Sequence, residues 1–321
     1  MSVVPDTTSR FTVIADGPLD SVVMGLLGDQ IDLLPWQAAI EGTDDQVDGI
    51  YTYGHPQLNG EMLDRIAGTK VISNYGVGVD HINVADAVTR SIPVGNTPGI
   101  LDGATADMAM ALLLSAARRV IEGDRYARSA EFLRYDPGFM LGREVHHSVL
   151  GIIGMGSIGS EVARRARAFD MKVLYHNRHP REDVARSFEA TYVSLKVLLE
   201  RSDFVMLCCP LTENTYRLID AEALTHMKRT AFLINVARGP IVDTTAIYHA
   251  LRDRRIEGAA FDVTDPEPLP RDHPILQLDN LTIVPHLGSA TVETRQKMSE
   301  ISVANLKAGM RGEPLLYEVK P

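Results

Sequence analysis

The sequence predicts an α/β protein built from two doubly wound parallel sheets. Short apolar runs alternate with helix-like segments along the whole chain, which is typical of parallel sheets with crossover helices. The length of 321 residues suffices for about two ordinary domains. The apolar runs fall well short of the roughly 20 residues that span a bilayer, so we do not expect a membrane protein.

The predicted strands form two series along the chain. The first third contains four candidate strands, at residues 11–16, 48–54, 70–76 and 92–97. The second series contains six, at residues 149–154, 172–177, 203–209, 231–237, 258–263 and 281–286. Six strands suffice for a dinucleotide-binding sheet. We therefore expect a dinucleotide-binding domain at 102–288 and a substrate-binding domain at 1–101 that is completed by 289–321.

Two helical segments flank the second series. Residues 103–120 have small and apolar side chains around nearly the whole helix, which predicts burial on most sides, either in the core or in a subunit interface. Residues 290–310 have the pattern of an ordinary amphipathic helix. We expect this second helix to cross back to the first domain.

Charge and cysteine content exclude several classes of protein. A formal net charge of −10 disfavours non-specific binding to nucleic acid or to an anionic membrane. The adjacent Cys208 and Cys209 are poorly placed for a disulfide and lack metal-ligand spacing, which indicates reduced, buried thiols and no metal site. The N-terminus lacks the pattern of a secretory signal. These features predict a cytoplasmic protein.

A glycine-rich loop follows the first strand of the second series. The segment "VLGIIGMGSIG" places Gly154, Gly156 and Gly159 at the spacing G-x-G-x-x-G, and a helical run comes directly after it. The helix N-terminus would present the amides of Ser157 and Ile158 to phosphate oxygens. The alternative is a glycine-rich connection without a ligand. The strand–loop–helix context favours a dinucleotide site.

The end of the next strand carries an unusual polar pair. NAD-binding units generally have an acid here that binds the adenosine ribose, but this chain has Asn177 followed by Arg178. The amide removes the repulsion of a 2′-phosphate, and the guanidinium can bind it. Arg181 is a candidate for further positive charge. The pair predicts NADP(H) as the preferred cofactor, with NAD(H) still possible; the alternative is a solvated turn.

Three polar residues follow the later strands, where ligands bind in open α/β sheets. They are Arg238, Glu267 and His286. A histidine can donate a proton to a ketone oxygen, a carboxylate can fix the imidazole, and an arginine can hold a carboxylate. Each also has an ordinary explanation: a turn arginine, a solvated loop acid and a core histidine. The prediction of a catalytic site depends on the three occurring together.

Four segments together resemble the D-isomer-specific 2-hydroxyacid dehydrogenase family, and most of all its glyoxylate/hydroxypyruvate reductases. They are "GMGSIG", "NVARGPIVD", "AFDVTDPEPLP" and "PHLGSATVETR", and the resemblance extends over essentially the whole chain. It implies a Rossmann cofactor domain inserted in a flavodoxin-like substrate domain. It also implies a homodimer that reduces a small 2-keto acid to the D-2-hydroxy acid.

The resemblance implies a role for each matching position. His286 would protonate the keto oxygen, Glu267 would be its partner, and Arg238 would bind the keto acid. The amides of Val77 and Gly78, in "NYGVGVDH", would bind the substrate carboxylate; the alternative there is a plain glycine-rich turn.

The resemblance also extends the cofactor site beyond the glycine loop. Asp262 would hold the nicotinamide carboxamide, or alternatively would only cap a loop at the end of its strand. The remaining residues implied for the cofactor site are Thr105, Pro210, Val236 and Gly288.

The chain departs from the family pattern in one loop. Many relatives have a tryptophan-rich loop before the glycine motif, whereas here residues 130–147 contain no tryptophan. This departure puts the size of the substrate in doubt. Two alternative functions stay open: phosphoglycerate dehydrogenase, and a nucleotide-sensing module similar to the family's transcriptional co-repressors.

Overall fold

The computed structural model describes residues 10–320. The chain divides into two compact units, which are described separately below. Unit 1 comprises Met1–Ile100 and Thr291–Pro321, and unit 2 comprises Leu101–Ala290. None of the helices in the described part is long and apolar enough to span a bilayer.

Unit 1 contains a parallel sheet of five strands in the order β2-β1-β3-β4-β5. The strands are β1 (Phe11–Ala15), β2 (Ile31–Pro35), β3 (Gly49–Thr52), β4 (Ile72–Asn74) and β5 (Val94–Gly95). β2 was not among the predicted strands. This strand lies at the edge of the sheet and has no fully buried residue; Asp32 interrupts its apolar residues and Pro35 ends it, so its sequence does not have the pattern of a central strand.

Short helices connect these strands, and several begin at a side-chain cap. They are α1 (Ser21–Leu27), α2 (Gln37–Glu41), α3 (Gly60–Asp64) and α4 (Val84–Thr89). Asp20, Asn59 and Asn83 accept hydrogen bonds from backbone amides in the first turns of α1, α3 and α4. Such caps satisfy amides that have no partner inside the helix.

Unit 2 contains a seven-stranded sheet in the order β12-β11-β10-β9-β6-β7-β8. Its strands are β6 (Val149–Ile153), β7 (Lys172–His176), β8 (Thr191–Tyr192), β9 (Phe204–Leu207), β10 (Phe232–Asn235), β11 (Gly258–Phe261) and β12 (Leu281–Ile283). All paired strands are parallel. The prediction of six strands was wrong by one, because β8 has only two residues, both exposed. The predicted fold class, two doubly wound parallel sheets, is confirmed.

The helices of unit 2 cover both faces of this sheet. They are α5 (Asp102–Ala117), α6 (Val120–Ala127), α7 (Ser157–Arg167), α8 (Glu182–Phe188), α9 (Leu195–Arg201), α10 (Ala221–His226) and α11 (Thr244–Arg252), with 3₁₀ turns at Gly239–Ile241 and Pro274–Gln277. The single helix expected at 103–120 ends at Ala117, since Arg119 adopts a left-handed conformation with φ 54°. One side of α5 is buried against α7 and the sheet, and Ala111 is exposed.

The last helix, α12 (Val292–Met310), packs on the sheet of unit 1. Val303, Leu306 and Met310 are buried in one apolar cluster with Val13 and Val71. Part of the core of unit 1 therefore comes from the C-terminal end of the chain.

Candidate active site

The expected catalytic residues all follow neighbouring strands of unit 2. Arg238 comes after β10, Glu267 after β11 and His286 after β12, and these three strands are adjacent in the sheet. Because parallel strands end at the same edge, the three loops emerge on one side of the sheet.

His286 and Glu267 form a direct pair. His286 Nδ1 lies 2.7 Å from Glu267 Oε1, and Glu267 Oε2 accepts a hydrogen bond from the Thr264 amide at 3.1 Å. About a third of the His286 side chain is exposed, so it is not a core histidine. The carboxylate binds Nδ1 and thereby fixes the ring, with Nε2 on the opposite side. This arrangement suits an imidazole that exchanges a proton with a ligand.

The backbone of the His286 turn is also held by the sheet. His286 has φ 55°, in the left-handed region, and its amide donates to the Asp262 carbonyl at 2.8 Å. The Asp262 carboxylate accepts hydrogen bonds from the amides of Leu287, at 2.5 Å, and Gly288, at 2.8 Å. Burial raises the pKa of Asp262, and these two amides oppose that shift. Asp262 therefore caps the turn that carries the histidine.

Gly288 lies between Asp262 and Thr105. A Cβ at Gly288 would lie 2.9 Å from Asp262 Oδ2 and 3.3 Å from Thr105 Cγ2. A larger residue would therefore push the first turn of α5 away from this loop. Thr105, Asp262 and Gly288, which were all predicted for the cofactor site, are therefore neighbours in the structure.

Arg238 lies in a turn that packs on the loop preceding Glu267. The Asn235 side chain donates to the Arg238 carbonyl at 2.9 Å and accepts from the Ala237 amide at 3.0 Å. A Cβ at Gly239 would collide with the carbonyl of Thr264, so glycine is needed for this close approach. The arginine turn and the glutamate loop are therefore held against each other.

The glycine loop between β6 and α7 has the features that a dinucleotide site requires. Gly154 has φ 97°, and a Cβ there would collide with the backbone of Cys208 and Cys209. A Cβ at Gly159 would collide with the Gly154 carbonyl, so the third glycine lets the helix pack on the strand. A Cβ at Gly156 would meet nothing within 4 Å, which leaves open space in front of the helix.

The N-terminus of α7 is available to an anion. Gly156 occupies the N-cap position and provides no side-chain hydrogen bond to the helix. The amides of Ser157 and Ile158 donate no hydrogen bond within residues 10–320. Free amides and the helix dipole together favour a phosphate group here.

The two polar residues after β7, Asn177 and Arg178, differ in their contacts. Asn177 Oδ1 accepts a hydrogen bond from the Met155 amide at 2.7 Å, so it also holds the glycine loop. Arg178 is exposed and forms no hydrogen bond or ion pair with the described part of the chain. Arg181, the candidate for further charge, instead forms a bidentate pair with Asp183 at 2.9 and 2.7 Å.

The remaining residues predicted for the cofactor site follow β9 and β10. Val236 is buried directly after β10. Pro210 is exposed, and its carbonyl accepts a hydrogen bond from Thr215 Oγ1 at 2.7 Å. Cys208 and Cys209 are free thiols, and burial raises the pKa of Cys209 to about 11. These thiols are therefore uncharged packing groups rather than nucleophiles.

In unit 1, the predicted substrate loop follows β4. The amides of Val77 and Gly78 donate no hydrogen bond within residues 10–320. The loop carbonyls, by contrast, accept hydrogen bonds from the side chains of Asn74 and Asn96. These two asparagines were not among the predicted site residues, because no spacing rule links them to the loop.

Comparison with known proteins agrees with this geometry. Residues 110–288 match the model of the "D-isomer specific 2-hydroxyacid dehydrogenase, NAD binding domain" family. The chain is 47% identical over 257 residues to a glyoxylate reductase of Korarchaeum cryptofilum, which covers 80% of this chain and 77% of that protein. A glyoxylate reductase of Pyrococcus horikoshii is 43% identical over 272 residues, covering 84% and 81% of the two chains. This chain belongs to the D-isomer-specific 2-hydroxyacid dehydrogenases.

A solved structure extends the similarity to the whole fold of this dehydrogenase. It is the NADPH-dependent glyoxylate/hydroxypyruvate reductase of Sinorhizobium meliloti, in complex with NADP and malonate. That structure has a TM-score of 0.87 and 32% identity, and the match covers 97% of each chain. The resemblance stated from sequence is confirmed, and the protein is an NAD(P)-dependent oxidoreductase.

The residues of this dehydrogenase fit a nicotinamide dinucleotide. The open space at Gly156 and the free amides of α7 would accept the pyrophosphate, and the end of β7 would hold the adenosine ribose. When bound, the cofactor supplies the hydride that the protein's own side chains cannot supply.

Proposed function

We propose that the protein uses NADPH to reduce a small 2-keto acid, glyoxylate or hydroxypyruvate, to the D-2-hydroxy acid. The observation that carries the proposal is the His286–Glu267 pair, which lies one loop from Arg238 at the carboxyl edge of a dinucleotide-binding sheet. The identity of 47% and 43% to proteins named glyoxylate reductase supports the choice of substrate.

Each catalytic side chain has one role in this proposal. Protonated His286 delivers a proton from Nε2 to the carbonyl oxygen of the keto acid. Glu267 holds Nδ1 and keeps the ring oriented through the reaction. Arg238 binds and polarises the keto acid, since a guanidinium binds carboxylate and carbonyl oxygens in a fixed geometry. In unit 1, we assign the amides of Val77 and Gly78 to the substrate carboxylate.

The preference for NADPH is also a proposal, and it depends on the end of β7. A 2′-phosphate requires positive charge and no carboxylate, and Arg178 is exposed and forms no ion pair with residues 10–320. Asn177 holds the glycine loop through its oxygen, so its NH₂ group is oriented away from Met155. Asp262 would bind the nicotinamide carboxamide while it caps the His286 turn. Thr105, Pro210, Val236 and Gly288 would line the same site.

The direct test is steady-state kinetics of His286→Ala with glyoxylate and NADPH. We expect kcat to fall by roughly 10²- to 10⁴-fold, since the variant lacks the general acid. Glu267→Gln, which keeps a hydrogen-bond acceptor for Nδ1, should lose less activity than His286→Ala. Circular dichroism would establish that both variants are folded. Full activity of folded His286→Ala would contradict the proposal.

We further propose that the enzyme is a homodimer in the cytoplasm. Between α6 and β6 the chain exposes Leu133 by 87% and Tyr135 by 82%, together with Phe132, Phe139 and Leu141. An apolar surface of this kind in a single chain is typical of a subunit interface. The free thiols of Cys208 and Cys209 agree with a reducing compartment.

Sedimentation velocity tests the dimer. Leu133→Glu should shift the enzyme toward the monomer, because a carboxylate is costly to bury in an apolar interface. Val292→Glu is the matched control, since Val292 is 84% exposed on α12 and lies outside this surface. A wild-type monomer at micromolar concentration would contradict the dimer.

A further inference from the structure

The loop after β4 is held by side-chain amides on each of three consecutive carbonyls. Asn74 Nδ2 donates to the carbonyls of Gly76 and Gly78, both at 3.0 Å. Asn96 Nδ2 donates to the carbonyl of Val77 at 2.9 Å. Each carbonyl of residues 76–78 therefore accepts a hydrogen bond, which restricts the rotation of these peptide groups.

Asn74 is itself fixed in orientation. It ends β4, it is fully buried, and its Oδ1 accepts a hydrogen bond from Thr52 Oγ1 at 3.1 Å. Since the hydroxyl donates to the oxygen, the NH₂ group must point toward the loop. A buried amide with every donor and acceptor used in this way is rigid.

Asn96 is anchored through its backbone. Its amide donates to the Tyr317 carbonyl at 3.3 Å, and its carbonyl accepts from Asn305 Nδ2 at 3.0 Å. Asn305 is fully buried on α12. The two asparagines therefore connect the loop to the sheet on one side and to α12 on the other.

These contacts determine where the loop amides point. In a planar trans peptide, the C=O of one residue and the N–H of the next point in opposite directions. The Gly76 carbonyl is held by Asn74 and also by the Thr97 amide at 3.1 Å, which turns the Val77 amide away from them, and the bond from Asn96 to the Val77 carbonyl turns the Gly78 amide away from Asn96. A donor on the carbonyl also polarises the peptide and strengthens its N–H as a donor.

We propose that Asn74 and Asn96 are positioning residues that aim the amides of Val77 and Gly78 at the substrate carboxylate. The inference rests on the proposed function, in which these amides bind the keto acid. Neither asparagine touches the substrate; each acts on a carbonyl within the loop. Their contribution is a set of two donors that are oriented before the substrate arrives, which reduces the entropic cost of binding.

The test compares Asn74→Leu with Ser73→Ala in the full-length enzyme. Leucine has the same branched shape and the same number of side-chain heavy atoms as asparagine, but no N–H donor. We expect the KM for glyoxylate to rise roughly tenfold, the loss typical of one or two weakened hydrogen bonds. The KM for NADPH should stay within about twofold, because the cofactor residues lie in unit 2. The inhibition constant of oxalate, a carboxylate that is not reduced, should rise with the KM for glyoxylate.

Ser73→Ala is the matched control for loss of stability. Ser73 precedes Asn74 on β4, is fully buried, and donates to the Ser302 carbonyl at 2.7 Å, so its side chain faces α12 and not the loop. This variant should lower the melting temperature and leave the KM for glyoxylate unchanged. If it raises that KM as much as Asn74→Leu, the effect is general destabilisation and the inference is overturned.

Asn96→Leu gives an independent measurement if Asn74→Leu does not fold. Asn96 is only half-buried, and its backbone hydrogen bonds do not depend on its side chain. It should also raise the KM for glyoxylate and the inhibition constant of oxalate. A wild-type enzyme that reduces no 2-keto acid would overturn the proposed function and this inference together. An active wild type with an unchanged KM in the folded variants would overturn the inference alone.

Discussion

The glycine loop of unit 2 and the 76–78 loop of unit 1 present the same kind of group in two different ways. Each offers two backbone amides, Ser157 and Ile158 in one and Val77 and Gly78 in the other, that donate to no residue in the range 10–320. In unit 2 the amides are set by glycine packing and by the start of α7. In unit 1 they are set by the side-chain amides of the buried Asn74 and the half-buried Asn96.

The two loops differ in how far apart in the sequence the residues lie that orient their amides. The glycine loop depends on three residues within one short segment, each needed for φ, for space or for packing. The 76–78 loop depends on Thr52, Asn74 and Asn96, which come from three different strand ends. The glycine loop is therefore sensitive mainly to substitutions within the motif, with Asn177 as a contact from outside it, whereas the 76–78 loop is sensitive to substitutions at three separate strand ends.

The largest effect is expected at Gly154. Gly154→Ala introduces a Cβ at φ 97° that collides with the Cys208–Cys209 backbone. The strain and the overpacking together should lower the free energy of unfolding by roughly 2–5 kcal/mol. Urea denaturation of the purified enzyme measures this loss.

Gly156→Ala is the matched control within the same motif. Its φ is −85°, and a Cβ there meets nothing within 4 Å, so the free energy of unfolding should change by less than about 0.5 kcal/mol. The methyl group would instead fill the space in front of α7, and the Kd of NADPH should rise. If Gly154→Ala and Gly156→Ala lower the free energy of unfolding equally, the difference in φ and in free space between the two glycines does not determine stability.

A smaller effect is expected on the choice of cofactor. Asn177→Asp combined with Arg178→Ala keeps an oxygen that can accept from the Met155 amide, so the glycine loop should stay in place. The kcat/KM ratio of NADPH to NADH should fall by roughly 10- to 100-fold, the value of one charge-assisted hydrogen bond or two. A wild-type preference for NADH would contradict the role given to this pair.

The smallest effect is expected at Asp183. Its hydrogen bond to Arg181 lowers the pKa of Asp183 from 3.8 to about 2. Because the carboxyl pKa is lowered, the ion pair stabilises the folded state above pH 3.8. This stabilisation is lost as the pH falls through about 2. Asp183 is therefore charged at neutral pH, and its carboxylate holds the Arg181 guanidinium.

Asp183→Asn should release Arg181 toward the adenosine end of the cofactor. We expect the KM for NADPH to fall by about two- to fivefold and the KM for NADH to stay the same, since an exposed charge contributes little. The measurement is a cofactor titration at low and high salt. An equal change for both cofactors would show that Arg181 does not act on the 2′-phosphate.

The sequence predicted those parts of the fold and site that are marked by patterns within a short segment. The central strands, the glycine loop and the strand-end positions of Arg238, Glu267 and His286 are of this kind. The edge strands were missed because β8 has only two residues, both exposed, and the apolar residues of β2 are interrupted by Asp32 and followed by Pro35. Asn74 was missed for another reason: an asparagine at a strand end resembles any turn residue until Thr52 and the loop carbonyls are placed around it.

The packing of α12 on unit 1 has a consequence for the order in which the chain can fold during synthesis. Unit 2 is one continuous segment, Leu101–Ala290, and its core is complete once Ala290 has been made. The first residues of unit 1 are made before unit 2, but the core of unit 1 cannot be completed until the end of the chain is made. The reason is that Val13 and Val71 share their cluster with Leu306 and Met310. Domains generally fold as units as the chain emerges, so the domain that starts the chain should be the last to become stable.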